Sequence, residues 1–248
     1  MNEELSLDAL WNSAPSGERT FSAIEASHLP ETARRYLEHA IAPGTLLARA
    51  VRLSMHGEIK LGRWLPFTAE QVIVWDRGFI WSATVRMFGV PVRGSDRLID
   101  GEGAMRWRLL GILPVMTASG PDITRSAAGR VAGEAVWLPS VLCNDDVSWT
   151  APDSSHLHAG FIAHGETSGL ELAISGEGRL ESLKLQRWGN PDGGRFCYVD
   201  FGGIAEEEAT FDGYTIPTLL RAGWHFGTNR LEPEGEFFRV QIDSAIYL

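Results

Sequence analysis

The chain has 248 residues, 44% hydrophobic and 22% charged, a balance that fits a globular chain with a buried core rather than a disordered or membrane one. Its 32 acidic residues outnumber the 22 basic ones, for a net charge of −10, so neither nucleic-acid phosphates nor anionic membrane surfaces are expected partners. The two cysteines, Cys143 and Cys197, sit outside any C-x-x-C or histidine-rich frame, so both read as free thiols and no metal is expected.

Residues 1–28 read as a polar lead-in, broken at Pro15-Ser16-Gly17, and residues 29–248 as one domain. Met1-Asn2-Glu3-Glu4-Leu5 opens with acids where a secretory signal carries basic residues and then an apolar core, which predicts a cytoplasmic chain. No stretch reaches the roughly 20 apolar residues needed to span a bilayer. The first helix begins near Leu29, with Pro30 in its first turn. Ala33, Tyr36, Leu37 and Ala40 recur at helical spacing until Pro43-Gly44 stops them.

From about Leu47 the rhythm is two. Val51, Leu53 and Met55 alternate with Arg52, Ser54 and His56, the pattern of a strand with one buried face. Five more such runs follow, at 67–75, 78–88, 92–100, 104–110 and 112–118, divided by turns such as Asp76-Arg77-Gly78 and Asp100-Gly101-Glu102-Gly103. Over 120–142 the rhythm breaks. Asp122 or Thr124 can cap a helix there, and Ile123, Ala127, Val131, Ala135 and Leu138 make its apolar stripe before Pro139. Seven further strands are expected at 147–150, 156–163, 169–175, 180–188, 206–211, 215–226 and 236–246. Gly189 to Gly194 and Gly202-Gly203 read as loops between them.

Strands, one helical insertion, then strands again predict a mainly β (α+β) architecture: a large curved antiparallel sheet, a half-barrel, wrapped around the central insertion 120–142, with an N-terminal helix. Ala127, Ala128, Gly129, Ala132 and Gly133 are small enough to bring that helix close to a concave sheet face.

Several segments together carry a resemblance. They are Trp64-Leu65-Pro66-Phe67-Thr68-Ala69-Glu70-Gln71, Pro91-Val92-Arg93-Gly94-Ser95-Asp96-Arg97, Gly101 to Gly111, Ser119 to Arg130, Glu134 to Pro139, Phe211 to Pro217 and Gly223 to Thr228. From about Leu29 onward the chain resembles a bacterial family of unknown function. At longer range the order of elements resembles the half-barrels of the bacterial lipoprotein carriers, whose bent sheet holds helices on its concave side and receives acyl chains between them. That resemblance implies a cavity. Those carriers act in the periplasm after export, whereas the N-terminus here predicts a cytoplasmic protein.

Nine tryptophans fall largely on expected strands, where such rings either fill a core or line a pocket. Core filling is the commoner outcome. If a pocket forms, Trp81, Trp107, Trp137 and Trp224 are the expected ligand-binding aromatics. Arg106 and Arg108 share one face of a strand, opposite Met105, Trp107 and Leu109. They fit an exposed face, paired with Glu70, Asp96 or Glu102, or an anion clamp at a pocket mouth. Glu134 lies one turn after Arg130 beside the apolar stripe. It fits either a structural ion pair or, in an enzyme, a general acid or base. Arg130, Asp122, Tyr214 and His225 complete the set of candidate catalytic residues.

His225 has no nucleophile motif beside it, and His156 with His158 lacks a third metal ligand. The glycine pairs lack the context of a phosphate loop, so no cofactor is expected. Three functions remain, two of them in one cavity: binding of a hydrophobic small molecule or acyl chain between sheet and helix, or cofactor-independent catalysis, as by a cyclase, isomerase or hydrolase, on a hydrophobic substrate. A partner-binding protein with an exposed apolar patch is the third.

Overall fold

The computed structural model describes residues 5–248. All thirteen strands lie in a single antiparallel sheet. The first six are β1 (Ala50–Lys60), β2 (Trp64–Val74), β3 (Gly78–Met87), β4 (Val90–Ile99), β5 (Glu102–Leu109) and β6 (Leu113–Ser119). The other seven are β7 (Ser148–Thr150), β8 (His156–Ala163), β9 (Glu166–Ile174), β10 (Leu180–Gly189), β11 (Cys197–Phe211), β12 (Tyr214–Trp224) and β13 (Glu236–Tyr247). Their order across the sheet is 6-5-4-3-2-1-13-12-11-10-9-8-7. Each half is therefore a meander of consecutive hairpins, and the halves join where β1 pairs with β13.

The sheet is curved and open, and register shifts explain part of the bend. Bulges occur between Ser54 and Met55, Trp107 and Arg108, Leu180 and Ser182, Ala205 and Glu208, and Ala222 and Gly223. Each adds a residue to one strand and increases its local twist.

Between β6 and β7 the chain crosses the concave face as helix α3 (Pro121–Gly133); α1 (Leu7–Trp11) and α2 (Glu31–Ala40) precede the sheet. Gly120, at φ 105°, makes the sharp entry into α3, and Pro121 occupies its first turn. Ala127, Ala128, Val131 and Ala132 are buried beneath it. The small residues set the distance, as expected. A Cβ on Gly129 would stand 2.9 Å from Cγ of Arg187 on β10, and one on Gly103 of β5 would stand 2.6 Å from Cα of Thr124.

Two expectations are corrected. The helix does not run to Leu138. It stops at Gly133, and the chain tightens into short 3₁₀ turns at Glu134–Trp137 and Pro139–Cys143, separated where Leu138, ahead of Pro139, leaves the helical region at φ −134° and ψ 62°. Gly202-Gly203 is not a loop but lies inside β11, which starts at Cys197; a Cβ on Gly202 would meet the Leu183 carbonyl oxygen at 2.4 Å and the Phe226 ring at 2.5 Å. The glycines there mark close approach. Within the lead-in, whose residues 1–4 lie outside the described ones, α1 is ordered. Ser6 accepts a hydrogen bond from the Ala9 N–H, and Leu10 seats on the convex face against Ala50, Val72, Val74 and Ile80.

Candidate functional site

Two rows of side chains cross the concave face and differ in bulk. On one half, pairing places Gln71 beside Trp81, Trp81 beside Asp96 and Asp96 beside Met105. On the other, Leu183 stands beside Gly203, Gly203 beside Ala222, Ala222 beside Phe238 and Phe238 beside Ile59. The middle of the second row is glycine and alanine, so the sheet has no side chains there to reach the helix. A cavity of about 280 Å³ fills the gap, walled by Leu183, Leu220, Phe237, Phe238, Trp81 and Trp137 among others.

Set into this apolar wall is a polar cluster. Arg130, on the last turn of α3, donates from Nε to Glu134 Oε1 at 2.7 Å, from Nη1 to Asp96 Oδ2 at 3.3 Å and from Nη2 to Gln71 Oε1 at 3.3 Å. Gln71 Nε2 closes the ring by donating to Glu134 Oε2 at 2.5 Å, and Trp107 Nε1 donates to Asp96 Oδ1 at 3.0 Å. The Arg130 guanidinium lies 4.7 Å from the centre of the Phe79 ring and 5.1 Å from that of Trp81. Side-chain exposures of 17% for Arg130, 18% for Asp96 and 12% for Glu134 mean that these ions have little water, so their pairing carries the solvation. Burial pushes the Asp96 carboxyl above the usual carboxylate range, against the pull of Arg130 and the Trp107 N–H.

A second arginine enters from β10. Arg187 runs beneath Gly129, donates from Nε to the Ser126 carbonyl at 3.1 Å, and lays its guanidinium 4.8 Å from the Phe201 ring centre and 5.1 Å from that of Trp224. Burial, then repulsion from Arg130, brings it down to about 10. It remains a cation at neutral pH.

Of the residues singled out from the sequence, Glu134, Arg130, Trp81 and Trp137 meet at the cavity. Trp107 and Trp224 stand behind it, the first on Asp96 and against Trp81, the second against Phe201. The remaining five do not line it. Arg106 and Arg108 are exposed on the opposite face of β5, outside the cavity wall. Asp122 accepts from Trp188 Nε1 at the surface. Tyr214 is buried, donating to the Leu46 carbonyl and accepting from the Ala48 N–H, and stacks on Tyr247 at 4.1 Å. His225 falls just past β12 rather than on it, in the left-handed region at φ 58°, 3.5 Å from Asp192.

Sequence reasoning missed Gln71, Asp96 and Arg187 as site residues and took Asp96 for a surface partner of the β5 arginines. The signal was present in the two-residue rhythm. Gln71 follows Phe67 and Ala69 on the buried face, Asp96 lies between Gly94 and Leu98, and Arg187 follows Leu183 and Leu185. Each is a polar residue at an inward position.

A family model described as a family of unknown function (DUF6920) matches residues 27–247. The chain belongs to that family. No curated protein matches this DUF6920 chain. Two solved structures are similar in plan. One is a putative outer membrane lipoprotein-sorting protein domain from Vibrio parahaemolyticus, with TM-score 0.42 and 8% identity over 80% of this chain and 85% of that one. The other is a LolA superfamily protein from Nitrosomonas europaea, with TM-score 0.43 and 10% identity over 88% and 92%. Among the described residues of the DUF6920 chain, no helix is long and apolar enough to cross a membrane.

Proposed function

We propose that the protein binds a hydrophobic small molecule or a single acyl chain in the cavity between the curved sheet and the end of α3. The observation that carries this reading is the row Leu183, Gly203, Ala222, Phe238, whose small centre leaves about 280 Å³ open between otherwise close-packed layers. At roughly 30 Å³ for each water-sized group, that space takes a chain of about nine or ten carbons. Burying such a chain contributes on the order of 8 kcal/mol before the cost of association, at about 0.8 kcal/mol per methylene.

The cavity's wall supports binding over catalysis. Among the described residues it contains no Ser, Cys, His, Lys or Tyr, and Glu134, the acid–base candidate, already accepts from both Arg130 and Gln71. A titration with the neutral fluorophore N-phenyl-1-naphthylamine tests the proposal. Saturable uptake at one probe per chain, competed by decan-1-ol, is expected. Ala222→Phe, which places a ring in the gap, abolishes uptake while cooperative unfolding persists. No saturable uptake up to the probe's solubility limit, or uptake unchanged in Ala222→Phe, overturns it.

A further inference from the structure

The two arginines at the cavity differ in what holds them. Arg130 spends all three of its nitrogens on Glu134, Asp96 and Gln71. Arg187 spends only Nε, on the Ser126 carbonyl. Among the described residues its Nη1 and Nη2 have no acceptor, and no carboxylate oxygen comes within 4.0 Å of it.

Arg187 is half-buried, and a guanidinium whose unpaired fork faces an apolar cavity gives up part of its water there at a cost, because aromatic faces replace little of it. The cost falls sharply when an oxyanion fills the fork, since two parallel N–H groups match the two oxygens of a carboxylate or phosphate. The surroundings make this the designed geometry of the side chain. Gly129 admits its stem beneath α3, where a Cβ would come within 2.9 Å, while Phe201 and Trp224 hold the plane of its head.

Resting on the cavity reading above, we propose that the natural guest is an amphiphile with one anionic head, a carboxylate or a phosphate monoester. The head docks on Nη1 and Nη2 of Arg187, and the chain lies against Leu183, Leu220 and Phe238. The charge balance of the cavity agrees with a guest of this sign. Arg130 and Arg187 face Asp96 and Glu134, and both carboxylates are hydrogen-bonded to Arg130 while neither comes within 4.0 Å of Arg187.

The test displaces bound N-phenyl-1-naphthylamine with ten-carbon competitors that differ only in the head: decanoate, decyl phosphate, decan-1-ol and decylammonium, each below its micelle concentration at low salt and pH 8. Decanoate or decyl phosphate is expected to displace the probe at a concentration at least about tenfold lower than the alcohol, which is about 1.4 kcal/mol, and decylammonium is expected to be the weakest. Whichever anion leads names the head. Arg187→Gln removes the preference, bringing decanoate and decyl phosphate to the level of decan-1-ol in the same variant; Arg187→Lys, which keeps the charge without the fork, retains only part of it.

Equal displacement by acid and alcohol in the unmodified protein overturns the inference, with no variant needed, while leaving the cavity reading standing. A preference that survives in Arg187→Gln also overturns it. Failure of the neutral probe to bind at all is a different result and removes the cavity reading itself.

Discussion

The ring formed by Arg130, Glu134 and Gln71 makes a prediction that only this geometry supports. Glu134→Gln keeps the shape and removes the charge. Its new amide can still accept from Arg130 Nε with one end, but the other end then presents N–H groups to Gln71 Nε2, which also donates. Turning the Gln71 amide over only transfers the conflict, because its N–H groups then face Arg130 Nη2. One charge-assisted bond is lost and one buried pair is left unmatched. At about 1.5–3 kcal/mol for a hydrogen bond to a charged group, the variant should lose about 3 kcal/mol.

Gln71→Glu alone sets two carboxylates side by side and costs a similar amount. In the exchange variant, Gln71→Glu with Glu134→Gln, the carboxylate moves from the helix end to β2 and every bond is restored. Glu at 71 accepts from Arg130 Nη2 and from the new amide, which in turn accepts from Arg130 Nε. Equilibrium urea unfolding, followed by tryptophan fluorescence, gives the four stabilities of the cycle. The double variant should be more stable than the sum of the single losses by at least about 2 kcal/mol. Additive losses, or a Glu134→Gln cost under about 1 kcal/mol, would refute the pairing.

Two further perturbations test other parts of the molecule. Gly202→Ala should cost about 1–3 kcal/mol by overpacking, because its Cβ meets the Leu183 carbonyl oxygen at 2.4 Å and the Phe226 ring at 2.5 Å, whereas Gly203→Ala, with the Arg221 carbonyl oxygen and the Leu220 side chain both at 3.1 Å, should cost less; equal urea midpoints would contradict this. His164, in the left-handed turn after β8, has its pKa lowered chiefly by burial, and its Nε2 has no partner among the described residues. The folded state therefore binds its proton less readily than the unfolded state, so its penalty appears as pH falls below about 6.5 and stability rises with pH through that window. His164→Asn, which tolerates the same backbone, should gain relative to the unmodified protein between pH 7.5 and 5; a pH-independent difference would show that His164 contributes nothing.

The fold was largely legible in the sequence because alternation is a local signal. Runs such as Val51, Leu53, Met55 and the turn Asp76-Arg77-Gly78 carry their own structure, and a helix amid strands must bury Ala127, Ala128 and Val131 against a face of the sheet. The first half of β11 was not legible, because Gly202-Gly203 has the composition of a loop and only the carbonyl of Leu183 on the next strand explains it.

The site was legible in part. The helical spacing of Arg130 and Glu134 announced their pairing, but Gln71 and Asp96 reach that pair only through the folded sheet. Arg187 could have been found by asking which charged residue occupies the inward position after Leu183 and Leu185. Tryptophan count alone did not separate Trp81 and Trp137, at the cavity, from Trp107 and Trp224 behind it, since that depends on where the facing row is small.

The joint between β1 and β13 pairs residues nearly two hundred positions apart, as Val51 with Tyr247, whereas every other strand pairing is between neighbours in sequence. Chain-closure entropy rises by about 0.6 kcal/mol with each doubling of the intervening length, so this joint is the costliest in the sheet to form. Phe237 and Phe238, which finish one side of the compartment, are carried on the same last strand. A chain that ends before Glu236 forfeits the join and the wall in one stroke, so the compartment closes only once the thirteenth strand has been made and the two halves have met.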